Sequence, residues 1–221
     1  MGEGALTSSL SEGIGGGYIL EHIDEEGELL ATLYRDAHVR LTHPHMVSGH
    51  LQGRLLKMIC RMMRPKRVLE IGTYTGYATI CIAEGLGDGA LVYTVEKNDE
   101  MQPFTIPFFE KSPLRDKIRL FWGKVETLFP TFEVTFDMVY IDGDKRDYCA
   151  YYALIFPHLP SGSLIVADNT LWAGKVFEDH TAVLDKQTQG IINFNEMIKN
   201  DKRIEKVIIP VRDGLTLIWK K

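Results

Sequence analysis

The chain has 221 residues, 45% of them hydrophobic, which suffices for one α/β domain with a full core and no staples. Its 25 Lys and Arg stand against 30 Asp and Glu, a net charge of −5 with no long basic block, so nucleic acid is not an expected partner. No run of about 18 apolar residues is present to cross a bilayer. The start lacks the basic and apolar regions of a secretory signal, and Cys60, Cys81 and Cys149 are too widely spaced for a metal cluster or a disulfide framework. Reduced thiols in a cytoplasmic protein are therefore expected.

In chain order, Met1 to Gly17 is rich in Gly and Ser and has no apolar period, which predicts a flexible N-terminal tail over 1–17 and a single domain over 18–221. Helical spacing at Ile19, Ile23, Leu29, Leu30 and Leu33, then at Leu51, Leu55, Leu56, Ile59, Met62 and Met63, predicts two amphipathic helices ahead of a sheet. Strands near 67–71, 91–95, 117–121, 136–141 and 163–167 alternate with helices near 77–86, 99–111, 124–129 and 146–157, the pattern of a doubly wound parallel sheet. A helix near 184–199 precedes strands over 203–210 and 214–219, joined by a tight turn around Arg212-Asp213. That hairpin adds an antiparallel strand.

Two acidic signatures 26 residues apart carry the chemistry: Asp142 in Val139-Tyr140-Ile141-Asp142-Gly143-Asp144-Lys145, and Asp168-Asn169 after Ile165-Val166-Ala167. Each follows a strand, so three hard oxygen ligands gather at neighbouring carboxyl ends, where open α/β sheets bind ligands. Oxygen donors alone favour Mg²⁺, with Ca²⁺ or Mn²⁺ as alternatives, over zinc. The competing structural use is a helix cap at Asp142 and an Asx turn at Asp168-Asn169. Lys145, three residues after Asp142, is a candidate general base or else a surface lysine. His43, His45 and His50 share no helical spacing and are interrupted by Pro44, so they are given no metal role.

Upstream, Val68-Leu69-Glu70-Ile71-Gly72-Thr73-Tyr74-Thr75-Gly76 runs from a strand into a turn with two glycines, not the three of a dinucleotide fingerprint. Glu70 would repel a pyrophosphate but suits a cofactor carrying an amino group and a sulfonium, such as S-adenosylmethionine. Glu96 closes the second strand 26 residues later, where an acid accepts ribose hydroxyls. The alternatives are solvated strand ends for both acids, a nicotinamide dehydrogenase on the same architecture, or a non-catalytic cofactor-binding module.

With these motifs, and with Asp168-Asn169-Thr170-Leu171-Trp172 and Asp213-Gly214-Leu215-Thr216, the chain from about Tyr18 to Lys221 resembles the metal-dependent S-adenosylmethionine O-methyltransferases that include the catechol and caffeoyl-CoA enzymes. The resemblance implies a class I methyltransferase, a Rossmann-like seven-stranded sheet whose last strand is antiparallel. It implies cofactor contacts at Ser48, Glu70, Gly72, Thr73, Tyr74, Ala78, Glu96, Val125 and Asp142, and metal ligands Asp142, Asp168 and Asn169. Lys145, Asp142 and Asn169 become the catalytic set, and Trp172 a substrate-facing ring. It further implies methyl transfer to a vicinal diol on an aromatic small molecule, and a homodimer. Ala78 stands where relatives commonly carry a serine, so Thr79 is the candidate for the missing hydroxyl. Val125 replaces the usual alanine, and His50 a common proline.

Overall fold

A computed structural model describes residues 14–178 and 184–221. The strands are β1 (Arg67–Ile71), β2 (Leu91–Glu96), β3 (Ile118–Trp122), β4 (Met138–Ile141), β5 (Leu164–Ala167), β6 (Ile204–Ile209) and β7 (Leu215–Lys220). They form one sheet in the order β3-β2-β1-β4-β5-β7-β6. β1 to β5 pair in parallel, and β7 lies antiparallel between β5 and β6, as the hairpin predicts. The helices among the described residues are α1 (Ile14–Glu21), α2 (Glu28–Arg40), α3 (Gly49–Met63), α4 (Tyr77–Gly85), α5 (Gln102–Lys111), α6 (Val125–Leu128), α7 (Tyr148–Ile155) and α8 (Lys186–Asn200). None is long and apolar enough to cross a membrane.

The near-continuous apolar runs of the central strands follow from burial on both faces. Val68, Met138, Tyr140, Leu164 and Val166 join a core with α2, α3, α4 and α5. Their neighbours Leu69, Val139, Ile141, Ile165 and Ala167 face the opposite core with α6, α7 and α8. The two-residue side-chain period of a strand thus divides one sequence between two layers. Close approach of α3 to α4 depends on Gly53, where an added Cβ would lie 2.6 Å from the Cys81 sulfur. Cys60, Cys81 and Cys149 are all free, the first two buried.

The N-terminal region differs from the expectation in two ways. Three helices precede β1 instead of two, because the chain breaks at Gly27, whose φ of 80° lies in the left-handed region. The helix α1 also takes in Gly15-Gly16-Gly17, which the composition assigns to the tail. It packs against α3, and tertiary packing outweighs weak helix propensity there. The rest of the expected tail, residues 1–13, lies outside the described residues.

Strand order reverses between β1 and β4, so a crevice opens at their carboxyl ends. Gly72, at φ 100°, leaves β1 there with its N–H bonded to the Val95 carbonyl at 2.9 Å. A Cβ at this position would collide with the backbone carbonyl of Asp142. Glycine is what allows the turn after β1 and the end of β4 to touch.

Candidate active site

A cleft of about 1100 Å³ occupies the crevice, large enough for a cofactor and an acceptor together. Asp142, Lys145, Asp168, Asn169 and Trp172 line it, as do Ser48, Gly72, Tyr74, Glu96 and Val125. The structure thus brings ten of the sequence-derived site residues into one cavity. Glu70, Thr73 and Ala78 lie behind its wall.

Asp142 and Asp168 each stand one residue beyond a strand, and their N–H groups extend the ladder: Asp142 donates to Ile71 and Asp168 to Ile141, both at 2.9 Å. This fixes where the two carboxylates leave the sheet. Asp168 Oδ2 accepts from Gln52 Nε2 at 2.5 Å and from the Tyr140 hydroxyl at 2.8 Å, while Oδ1 accepts the Asn169 N–H at 2.7 Å. Tyr148 donates to the Asp168 carbonyl at 3.0 Å. Asn169 has φ 58°, a left-handed conformation that asparagine enters more readily than most residues. Its Nδ2 donates to Asp213 Oδ2 at 3.4 Å, so Oδ1 is the atom left for a ligand.

The helix-cap alternative for Asp142 fails, because the cap of the following turn is Asp144, which accepts the Arg146 N–H. Arg146, together with Lys97 at 2.8 Å, holds the Asp144 carboxyl well below the usual range. Its side chain is buried between them. Asp142 instead pairs with Lys145, Nζ to Oδ1 at 2.7 Å. Burial raises the Asp142 carboxyl to about 6 despite that lysine. Burial pulls the Lys145 ammonium down, but the Asp142 carboxylate outweighs it and the net movement is upward. Nζ and Oδ1 stand at ion-pair distance.

No three His, Cys, Asp or Glu side chains cluster as metal ligands among the described residues. The candidate cation site therefore rests on two carboxylates and one carboxamide. That set fits a hard divalent ion: all three donors are oxygens on one wall of one cleft, and such ions keep several waters. His43 and His45 line the cleft with ring centroids 5.8 Å apart, whereas His50 bonds the Asp24 carbonyl at 2.7 Å.

On the cofactor side, Glu96 accepts the N–H groups of Tyr74 and Asn98, both at 2.8 Å, which anchors its carboxylate at the end of β2. Ser48 reaches the cleft from the residue before α3, and Val125 from the first turn of α6. Glu70 lies one residue inside β1 on the α4 face, fully buried, and accepts from the Thr79 hydroxyl. Its Oε1 has no partner. Burial raises this carboxyl to about 8, with the Thr79 hydrogen bond pulling the other way. Thr79 is thus spent on Glu70 and does not replace the hydroxyl absent at Ala78. Thr73 bonds Thr94 at 2.5 Å, away from the cleft.

Trp172, at φ 48°, donates from Nε1 to Thr188 Oγ1 at 3.0 Å, which ties the loop after β5 to α8. Sequence reading missed Gln52, Tyr140 and Arg212. Gln52 carries a usable signal: it is a polar residue four positions before Leu56 on the buried face of α3. Tyr140 hides inside an apolar strand, and Arg212 is marked only as a turn residue, with nothing local to point to its partners.

A parallel sheet with one reversed strand, a glycine turn after β1 and an acid ending β2 define the Rossmann-like architecture of class I methyltransferases. The chain belongs to the O-methyltransferase family, whose profile matches residues 20–221. It is 31% identical over 191 residues to the caffeoyl-CoA O-methyltransferase of Petroselinum crispum, covering 81% of this chain and 79% of that protein. It is 28% identical over 211 residues to the probable caffeoyl-CoA O-methyltransferase 2 of Dictyostelium discoideum, covering 92% and 90%. Among solved structures, SAH-bound Podospora anserina methyltransferase PaMTH1 superposes with a TM-score of 0.84 at 27% identity, covering 93% of each chain. The Bacillus cereus O-methyltransferase in complex with SAH gives 0.84 at 25%, covering 93% of this chain and 96% of that one. Membership sets aside the dehydrogenase reading.

Proposed function

We propose that this O-methyltransferase moves the methyl group of S-adenosylmethionine to a hydroxyl of a catechol-type aromatic small molecule, with a divalent cation, Mg²⁺ first, held by Asp142, Asp168 and Asn169. The observation that carries the reading is the placement of those three oxygen donors and of Glu96 on one cleft at the sheet's switch point. SAH in the Podospora and Bacillus relatives supports the cofactor, and the caffeoyl-CoA relatives support a phenolic acceptor.

A phenol has a pKa of about 10, so the neutral hydroxyl needs help to attack. When bound, the cation supplies Lewis acidity that favours the deprotonated oxygen of a chelating diol. The chain's own residues do the rest. Glu96 accepts the ribose hydroxyls, Gly72 admits the cofactor close to the end of β4, and Trp172 offers a ring face to the acceptor. In this reading Lys145 Nζ receives the acceptor proton. Paired with Asp142 it stays an ammonium, so it serves as a base only where the Asp142 charge is otherwise neutralised. Glu70 marks the wall behind the cofactor's amino group, with an unpartnered oxygen that a reoriented side chain can offer.

The test is methyl transfer to a panel of catechols, caffeoyl thioesters and flavonoids, with MgCl₂ and with EDTA. Turnover on vicinal diols in Mg²⁺ and its loss in EDTA are expected. Undiminished turnover in EDTA removes the cation from the reading, and turnover on monophenols alone removes the diol.

A further inference from the structure

Arg212 sits in the turn between β6 and β7 with φ 50°, a left-handed conformation that costs an L side chain and not glycine. What occupies this costly position is a guanidinium that reaches across the cleft mouth. Nη1 donates to the carbonyls of Val47, at 2.8 Å, and Ser48, and Nη2 to that of His45 at 3.2 Å. These three carbonyls belong to the segment that enters α3 and carries Ser48 into the cofactor side of the cleft.

The same turn is stitched to the opposite wall. The Asp213 carbonyl accepts from Leu171 at 2.7 Å and Trp172 at 3.3 Å, and the Gly214 carbonyl accepts from Thr170 at 3.1 Å. Asp213 Oδ2 takes the Asn169 carboxamide at 3.4 Å. One short turn thus grips the Ser48 segment by a side chain and the Asn169–Trp172 loop by its backbone.

We propose that Arg212 is a positioning residue that couples the two walls. By holding the Ser48 segment to the turn that also holds Asn169 and Trp172, it makes occupation of the cation and acceptor side tighten the cofactor side, and the reverse. A guanidinium presents its N–H donors as a rigid planar fork that reaches all three carbonyls from one side chain, a pre-organised geometry that the flexible, compact ammonium of lysine lacks and glycine cannot offer. The inference rests on the proposed function for the identity of the ligands.

Arg212→Gly separates this role from a merely structural one, because glycine relieves the left-handed backbone and offsets part of what the three lost hydrogen bonds cost, so the melting temperature is expected to fall by only a few degrees. Calorimetry with SAH, alone and with MgCl₂ plus catechol, is expected to show tighter SAH binding in the second condition for the unmodified protein. In Arg212→Gly, SAH binding should weaken about tenfold and that enhancement should vanish, the scale of one charge-assisted hydrogen bond. In turnover, the KM for S-adenosylmethionine should rise with kcat nearly unchanged at saturation, and Arg212→Lys should recover part of the affinity. Equal SAH affinity and equal enhancement in Arg212→Gly overturn the coupling while leaving the proposed function intact. A melting temperature that falls much further, with the SAH affinity lost in proportion to it, also overturns the coupling. Failure of the unmodified protein to bind SAH overturns the proposed function and the coupling with it.

Discussion

Glu70 and Asp168 are both buried acids at the carboxyl end of a central strand, yet the fold treats them in opposite ways. Glu70 is the penultimate residue of β1, and its side chain is trapped between sheet and α4 with one hydroxyl donor and one oxygen unpartnered. Asp168 stands one residue past β5, where Gln52, Tyr140 and the Asn169 N–H supply three donors and the cleft lies open beside it. A shift of two places along a strand decides whether a carboxyl ends in the packed face or in the ligand crevice. The number of donors then decides how it is held.

The sharpest way to break this contrast is Asp168→Ala. It removes a candidate ligand and strands the Gln52 and Tyr140 donors at about 1–3 kcal/mol each. Turnover is expected to fall by more than about 100-fold, with lower stability in urea melts. Turnover within about twofold of the unmodified rate would refute the site. Next comes Lys145→Ala, for which kcat should drop by ~10²–10⁴ if Nζ takes the proton. A normal kcat with only a shifted melting curve would leave the lysine as a partner for Asp142 alone. Gln52→Leu keeps the volume and removes one Asp168 donor, so about tenfold more Mg²⁺ should be needed for half-maximal rate. An unchanged Mg²⁺ titration would count against Asp168 as a ligand aimed by Gln52.

The smallest effect concerns Glu70 and pH. Its folded-state carboxyl is raised to about 8 from an ordinary 4.5, so the folded chain binds the proton more tightly than the unfolded one. The associated stability is complete below about 4.5 and is lost as pH rises through about 8. In cofactor-free protein, Glu70→Gln should remove that decline, so the variant gains on the unmodified chain between pH 5 and about 9 in paired urea melts. Parallel curves would mean that Glu70 is not held as a neutral acid.

Much of this fold could be read from the chain because its strands are short apolar runs punctuated by glycine and acidic residues. β1 begins and ends where the sequence places it, and the others fall within two residues. Asp142, Asp168, Asn169 and Glu96 were legible as cleft residues for the same reason: a polar side chain at or just past the end of a buried run has one place to go. The side-chain direction of Glu70 was not legible, since it depends on which face of β1 is covered by α4. Gln52 and Arg212 escaped because their partners lie 116 and 164 residues away in sequence, and only the tertiary fold pairs them.

The reversal of β7 has a consequence for how this cleft can diversify. In a wholly parallel sheet every connection at the carboxyl edge runs from a strand to a helix, and such connections tolerate insertions. Here one of them is a hairpin, whose length is locked by the pairing of Ile209 with Leu215. The roof over the entrance therefore keeps a constant span, while the strand-to-helix connections on the same edge are of the kind that tolerates insertion. Acceptor preference can drift on one side of the doorway without loosening the lintel.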